Sequence, residues 1–392
     1  MAELPVVRAH GDGMARGLQI GGELADQIQR SVEFYHRYLE RRGVSSSTLQ
    51  DLLTPHLMAA ETAYPEAIAV LKGMSIGAMV PVLELFAKNA FEELEPLLEA
   101  PEGGLLFLQK KEGYTSAPSE PQGPAAPGEP AAPDGRATPG EPPAPQRCSS
   151  LTVSIPGTTL LAHNEHWLAG DLGNVAVVVD VPEGRAAVAS PTVVCCLPAV
   201  GMNAHGGAQG IGSLTASDDR IGVPRVLVSR SSLEAADRAD AIDRATVAGR
   251  AGGYGHVFAF RGGDTFVVET TATNHRVHDE ADIHTNHYVD PELAATAPAP
   301  SDGSRARFDR LTELLGDRRP ATPEAVMDIL RDHGSSPQAI CLHPDPAEGD
   351  EASAVLFSMI ADVESSRMWV AAGNPCEQEY MEIDLSELSP HR

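Results

Sequence analysis

Cys148 is the residue in this sequence best placed to do chemistry. Residues 113–146 hold ten of the 31 prolines. That run ends at Gln146-Arg147, and Cys148-Ser149-Ser150-Leu151-Thr152-Val153-Ser154-Ile155 then opens a strand-like alternation. A cuttable tether meeting a thiol at the first residue of an ordered strand is the layout of a chain that cleaves itself between Arg147 and Cys148. Cleavage would make Cys148 an amino terminus, with a nucleophile and a base, the α-amine, on one residue. A free α-amine has a pKa of about 8, against about 10.4 for lysine, so it accepts a proton near neutral pH. Taken alone, tether and cysteine equally describe a plain linker followed by a core cysteine.

The elements that must position this residue differ on its two sides. Residues 14–42 carry apolar side chains at helical spacing and stop at Gly43; further helical patterns run over 49–64, from Pro65 to Gly77, and over 82–98. The ten prolines remove backbone donors and favour extended geometry, and Tyr114 is the one aromatic among them. After Cys148 come short β-branched runs bounded by Gly, Pro or Asp: 151–155, 159–163, 175–181 and 187–197. Helical patterns follow at 224–233, 235–248, 303–315 and 322–333, with strands at 256–260, 265–269, 355–361 and 367–371. This order fits two sheets packed together with helices outside. The organisation expected is a mainly helical segment over 1–112, a tether over 113–147, and a β segment over 148–392 in the same domain.

The net charge is −26, from 55 acidic and 29 basic residues, and neither half of the chain is basic. This disfavours nucleic acid or an anionic membrane as partner. Five cysteines, an odd number with two adjacent, suit a reduced compartment rather than a disulfide framework. No signal peptide or membrane-spanning run is legible, so the expectation is a cytoplasmic protein.

Motifs along the chain carry a resemblance. They are Gly11…Arg16-Gly17…Gly21, Tyr64-Pro65…Lys72-Gly73-Met74…Gly77, Arg147-Cys148-Ser149-Ser150 and His163-Asn164-Glu165-His166-Trp167. Further on are Gly201-Met202-Asn203-Ala204-His205-Gly206, Gly222-Val223-Pro224, His284-Thr285-Asn286-His287, Ile340-Cys341-Leu342-His343-Pro344-Asp345 and Ala372-Gly373-Asn374-Pro375-Cys376. In number, order and spacing they resemble the acyl-coenzyme A:6-aminopenicillanic acid acyltransferase family of N-terminal nucleophile (Ntn) hydrolases. The resemblance implies an α+β fold, a four-layer αββα sandwich. It also implies a precursor cut into α and β fragments that stay associated, and attack on a carbonyl by the Cys148 thiolate. Two positions depart from the penicillin-forming pattern: His166 stands where that pattern has an aspartate, and Ala352 where it has an arginine.

With the resemblance, Asn286 is the candidate oxyanion donor, since a side-chain N–H aimed at developing charge contributes about 3–4 kcal/mol. The alternative is a turn asparagine serving local backbone. Asn164 and His166 join Cys148 and Asn286 as catalytic candidates, with Ser149, Ser150 and Glu165 as substrate contacts or supports. His275, His278, His284 and His287 lie close in sequence but lack the fixed set of three or four ligands that zinc needs, and no metal is expected. Cys195 and Cys196 alternate to opposite faces of a strand and read as core. The glycines at 201–212 do not open a helix after a strand, so no cofactor is expected. The sequence therefore reads as a self-processing amidohydrolase acting on a small N-acyl or peptide substrate through a Cys148 thioester. One alternative is an acyltransferase that passes the acyl group to an amine; another is a non-catalytic scaffold of the same fold.

Overall fold

A computed structural model describes residues 4–98, 148–279, 281–317 and 319–386. The tether over 113–147, with Arg147, lies outside them. The described residues up to Leu94 and from Cys148 onward form one compact unit.

The helical pattern of the amino-terminal segment becomes six helices: α1 (Gly13–Glu23), α2 (Ala25–Arg41), α3 (Ser46–Ala63), α4 (Pro65–Ala78), α5 (Val82–Asn89) and α6 (Phe91–Leu98). Local signals set their starts. Asp12 caps α1 by accepting from the Ala15 N–H, Ser45 caps α3 in the same way, and Pro65 fills the first position of α4. The pattern over 14–42 breaks at Leu24, two residues after the Gly21-Gly22 pair, where a bend costs least. In α1 and α4 the glycine signatures do a packing job. A Cβ on Gly17 would sit 2.1 Å from the Val70 carbonyl oxygen, and one on Gly73 would sit 2.4 Å from that of Met14. The two helices therefore cross backbone against backbone.

Fourteen strands are described: β1 (Val6–Gly11), β2 (Ser149–Ile155), β3 (Thr158–Leu168), β4 (Val175–Pro182), β5 (Val188–Val193), β6 (Gly201–Asn203), β7 (Gly207–Leu214), β8 (Gly253–Phe260), β9 (Asp264–Thr270), β10 (His275–His278), β11 (Ile283–His284), β12 (Ser353–Asp362), β13 (Arg367–Ala372) and β14 (Met381–Asp384). Eight form one sheet in the order β1-β4-β5-β6-β7-β8-β9-β10, and six form the other in the order β11-β2-β3-β12-β13-β14. Only the β1–β4 pair is parallel among them. The remaining helices are α7 (Arg225–Ser232), α8 (Arg238–Ala245), α9 (Pro291–Ala294), α10 (Asp302–Asp317) and α11 (Pro323–Leu330).

These pieces make a four-layer αββα sandwich. The sheets face each other through β2 and β3 on one side and β7 and β8 on the other. Ala241 and Ala245 of α8 pack on Phe258, Phe260 and Phe266 of the eight-stranded sheet. Leu311 of α10 and Val326 and Leu330 of α11 pack on Leu151, Val153, Leu160 and Ala162 of the six-stranded sheet. The sequence pattern shows neither β6 nor β7, whose glycines read as loop. Gly210 is glycine because the sheets meet there: an added Cβ would lie 2.7 Å from Ser150 Oγ and 3.3 Å from His163 Nδ1.

Candidate active site

Cys148 immediately precedes β2, is buried, and lies between the sheets. Its neighbour across the ladder is β3, paired so that Ser149 opposes Asn164 and Ser150 opposes His163. Alternation then sorts the motif His163-Asn164-Glu165-His166 onto two faces. His163 and Glu165 share the inner face with Cys148 and Ser150. Cys148 Sγ donates to Glu165 Oε1 at 3.4 Å. Glu165 Oε2 lies 2.9 Å from His163 Nε2, and His163 Nδ1 lies 2.8 Å from Ser150 Oγ. A continuous polar chain thus runs from the thiol to Ser150.

Asn164 and His166 point the other way, into the layer of α11. Asn164 Nδ2 donates to the carbonyls of Leu330 (2.9 Å) and Ile340 (3.0 Å). His166 Nε2 lies 3.0 Å from the same Ile340 oxygen. Both hold the segment after α11 against the back of β3.

Arg307 of α10 completes the outer side of the site, and the sequence reading did not include it. One guanidinium nitrogen donates to the Cys148 carbonyl (2.6 Å) and to Ser149 Oγ (2.9 Å). The other donates to Asn286 Oδ1 at 3.0 Å. The signal for it is weak: Ser304, Arg307 and Leu311 share the buried stripe of α10, and a charge on such a stripe needs partners. The side chain is 1% exposed. Asn286 is fixed at three points, since its N–H donates to Ser304 Oγ (2.8 Å) and its Nδ2 to the Ser213 carbonyl (3.3 Å).

The thiol opens onto a cavity of ≈ 60 Å³ lined by Glu92, Glu165, Trp167, Cys196, Tyr254 and Phe357, among others. Burial, and after it the Glu165 charge, push the Cys148 thiol well above its ordinary pKa. Burial likewise pushes Glu92 up to about 8, against the opposing pull of Arg225. At neutral pH its carboxyl is therefore largely protonated. Larger clefts of ≈ 290 Å³ beside Arg16 and ≈ 640 Å³ beside Phe308 lie away from the thiol.

The four histidines after β9 do not gather at one point. His278 and His284 bond the two oxygens of Glu269 at 3.0 and 2.9 Å, and His287 bonds Ser304. Cys195 is buried at the Ile28 carbonyl, while Cys196 lines the cavity.

Two facing, mainly antiparallel sheets clad by helices, with a thiol heading a strand of the six-stranded sheet, define the Ntn-hydrolase class of enzymes acting on amide bonds. The model of one family, acyl-coenzyme A:6-aminopenicillanic acid acyl-transferase, matches residues 153–377, and the chain belongs to that family. No curated protein matches the chain by sequence. Among solved structures, the chain is similar to penicillin V acylase from Agrobacterium tumefaciens, at 13% identity and a TM-score of 0.43, over 62% of this chain and 88% of that one. It is also similar to the R18L variant of conjugated bile acid hydrolase from Clostridium perfringens, at 12% identity and a TM-score of 0.45, over 62% and 95%. No helix among the described residues is long and apolar enough to cross a membrane.

Proposed function

We propose that the chain is a self-processing amidohydrolase whose nucleophile is Cys148. The observation that carries this reading is the contact between Cys148 Sγ and Glu165 Oε1 at the head of β2. It couples a thiol to a base in the unbroken chain, where residue 148 has an amide and no α-amine. Glu165 takes the thiol proton, and the sulfur adds to the Arg147 carbonyl. The C–N bond breaks as Glu165 hands that proton to the leaving nitrogen, which becomes the new α-amine, and the acyl group rests on sulfur as a thioester. Water then cleaves the thioester, leaving a carboxylate at Arg147 and a free thiol at Cys148.

After cleavage the same sulfur attacks a substrate amide, with the α-amine shuttling the proton. Arg307 anchors the Cys148 carbonyl and Asn286 together, so nucleophile and oxyanion donor are held by one planar fork. Asn286 Nδ2, whose contact with the Ser213 carbonyl is long at 3.3 Å, is the side-chain donor for the oxyanion. Asn164 and His166 are positioning residues that clamp the back of β3. Ser149 and Ser150 hold Arg307 and His163 respectively.

Trp167, Val193, Leu197, Val200, Ile211 and Phe357 line the cavity at the thiol. The substrate class is thus a small N-acyl amide or peptide that presents an apolar acyl group to the thiol. The two fragments remain associated, because β1 and β4, on opposite sides of the cut, are hydrogen-bonded neighbours in one sheet. The family description favours a second outcome, in which an amine replaces water and the acyl group is transferred.

Intact-mass analysis tests the reading. Wild type should give two fragments meeting at Arg147-Cys148, and Cys148→Ala one whole chain. A folded wild type that stays whole through long incubation would overturn it.

A further inference from the structure

On the outer side of the six-stranded sheet, four side chains from two loops converge. His333 follows α11, Cys341 and His343 lie between α11 and β12, and Cys376 lies in the loop after β13. His333 Nε2 is 3.2 Å from His343 Nε2, His343 Nε2 is 3.2 Å from Cys376 Sγ, and Cys376 Sγ is 3.5 Å from Cys341 Sγ. All four atoms lie within 4.8 Å of one another.

We propose that His333, Cys341, His343 and Cys376 form a structural zinc site that staples the segment after α11 to the loop after β13. Zinc takes thiolates at about 2.3 Å and imidazole nitrogens at about 2.0–2.1 Å in a tetrahedron. A tetrahedron of those radii has edges of about 3.8 Å between sulfurs, 3.3 Å between nitrogens and 3.5 Å between unlike atoms. The three short separations match those edges. A hydrogen bond between two imidazoles accounts for one edge only. It does not explain why two thiols close on the same point.

The surroundings are those of a metal site. His343 Nδ1 faces the Glu377 carboxylate at 3.7 Å, so Nε2 is the ring nitrogen turned toward His333 and Cys376. Asn374 Nδ2 donates to Cys341 Sγ at 3.5 Å, a contact that suits a thiolate. The backbone pre-forms the cluster: the Cys341 N–H donates to the Asp332 carbonyl at 3.0 Å, setting His333 beside Cys341. Two nitrogens and two sulfurs select zinc over the hard cations, and four protein ligands leave no open position, which makes the site structural rather than catalytic. Its consequence reaches the enzyme centre, because Cys341 directly follows Ile340, whose carbonyl receives Asn164 and His166 from β3. The staple fixes the outer face of the strand whose inner face carries Glu165.

The test is elemental analysis of the full chain, purified under reducing conditions from zinc-supplemented cells, with cobalt(II) binding as a second readout. Wild type should carry about one zinc per chain and give the visible bands of tetrahedral thiolate-bound cobalt. Cys376→Ser and His333→Gln, both at exposed positions, should lose the zinc, whereas Cys148→Ala should keep it. A chelator should lower the melting temperature of wild type and leave that of Cys376→Ser unchanged. Reduced wild type with neither zinc nor the cobalt spectrum would overturn the proposal. So would a metal-free native chain lighter by two hydrogens, the mark of a Cys341–Cys376 disulfide. Since the readouts are metal content and melting, they stand apart from any outcome for self-cleavage.

Discussion

Arg307 Nη1 lies 2.6 Å from the carbonyl oxygen of Cys148, while its other terminal nitrogen holds Asn286. The proposed nucleophile and the proposed oxyanion donor, far apart in sequence, are therefore tied to one rigid group. Lysine cannot bridge both, having a single point charge in place of a fork. Arg307→Lys should lower turnover by about 10² while substrate binding changes much less, as expected for a preorganised charge-stabilising element. Asn286→Asp should cost turnover at least as much, because it removes the N–H donor, yet should melt close to wild type, because the ion pair gained with Arg307 offsets the bond lost to the Ser213 carbonyl. Steady-state kinetics and thermal melting on the same processed preparations check both. Unchanged turnover in both variants would leave backbone N–H groups as the donors.

Glu165 acts on the Cys148 thiol in two opposed ways. Its charge, after burial, raises the thiol pKa, and its oxygen accepts the thiol proton. Glu165→Gln should move the midpoint of Cys148 alkylation to lower pH. Self-cleavage should nonetheless slow by about 10² for want of a base. Rates of thiol alkylation against pH, beside fragment appearance by mass, separate the two effects. A midpoint that moves upward would contradict the assigned electrostatics.

Glu92 makes stability depend on pH. Burial raises its folded pKa to about 8 from an ordinary value of 4.5. The folded chain thus binds a proton that the unfolded chain has released between those values. Its contribution is fully present below pH 4.5 and is lost as pH rises through 8. Glu92→Gln, which keeps the shape of the neutral acid, should flatten this dependence and raise the melting temperature at pH 8 but not at pH 4. Calorimetry across that window is the measurement.

Gly210 sets how closely the sheets approach at the inner polar chain. A methyl there meets Ser150 Oγ at 2.7 Å and His163 Nδ1 at 3.3 Å. Gly210→Ala should destabilise the fold by about 1–3 kcal/mol and slow self-cleavage, because His163 braces Glu165. An equal substitution at Gly184, where an added Cβ meets nothing but φ is 69°, should destabilise without slowing the cut per folded molecule.

Most elements were legible because their signals are local. Pro65, Gly43 and the helical spacing of apolar residues mark α2 to α4, and β-branched runs mark β2, β4, β12 and β13. The glycine-rich β7 was not, since its glycines answer to a sheet that lies across the sandwich. The place of the thiol at the head of β2 was legible in the sequence, because a β-branched run opening just after Cys148 and a proline-rich tether is a contiguous pattern. The face of β3 was not. Residues 160–168 are buried on both sides save for Glu165, which is half-buried, so alternation gave no hint whether the even or the odd set faced the thiol. Tertiary structure sent Asn164 and His166 to the Ile340 carbonyl and turned Glu165 to Cys148. Arg307 and the set His333, Cys341, His343 and Cys376 belong to the same kind of fact. Their partners sit on other elements, and a bond between distant segments leaves no periodicity in the sequence to read.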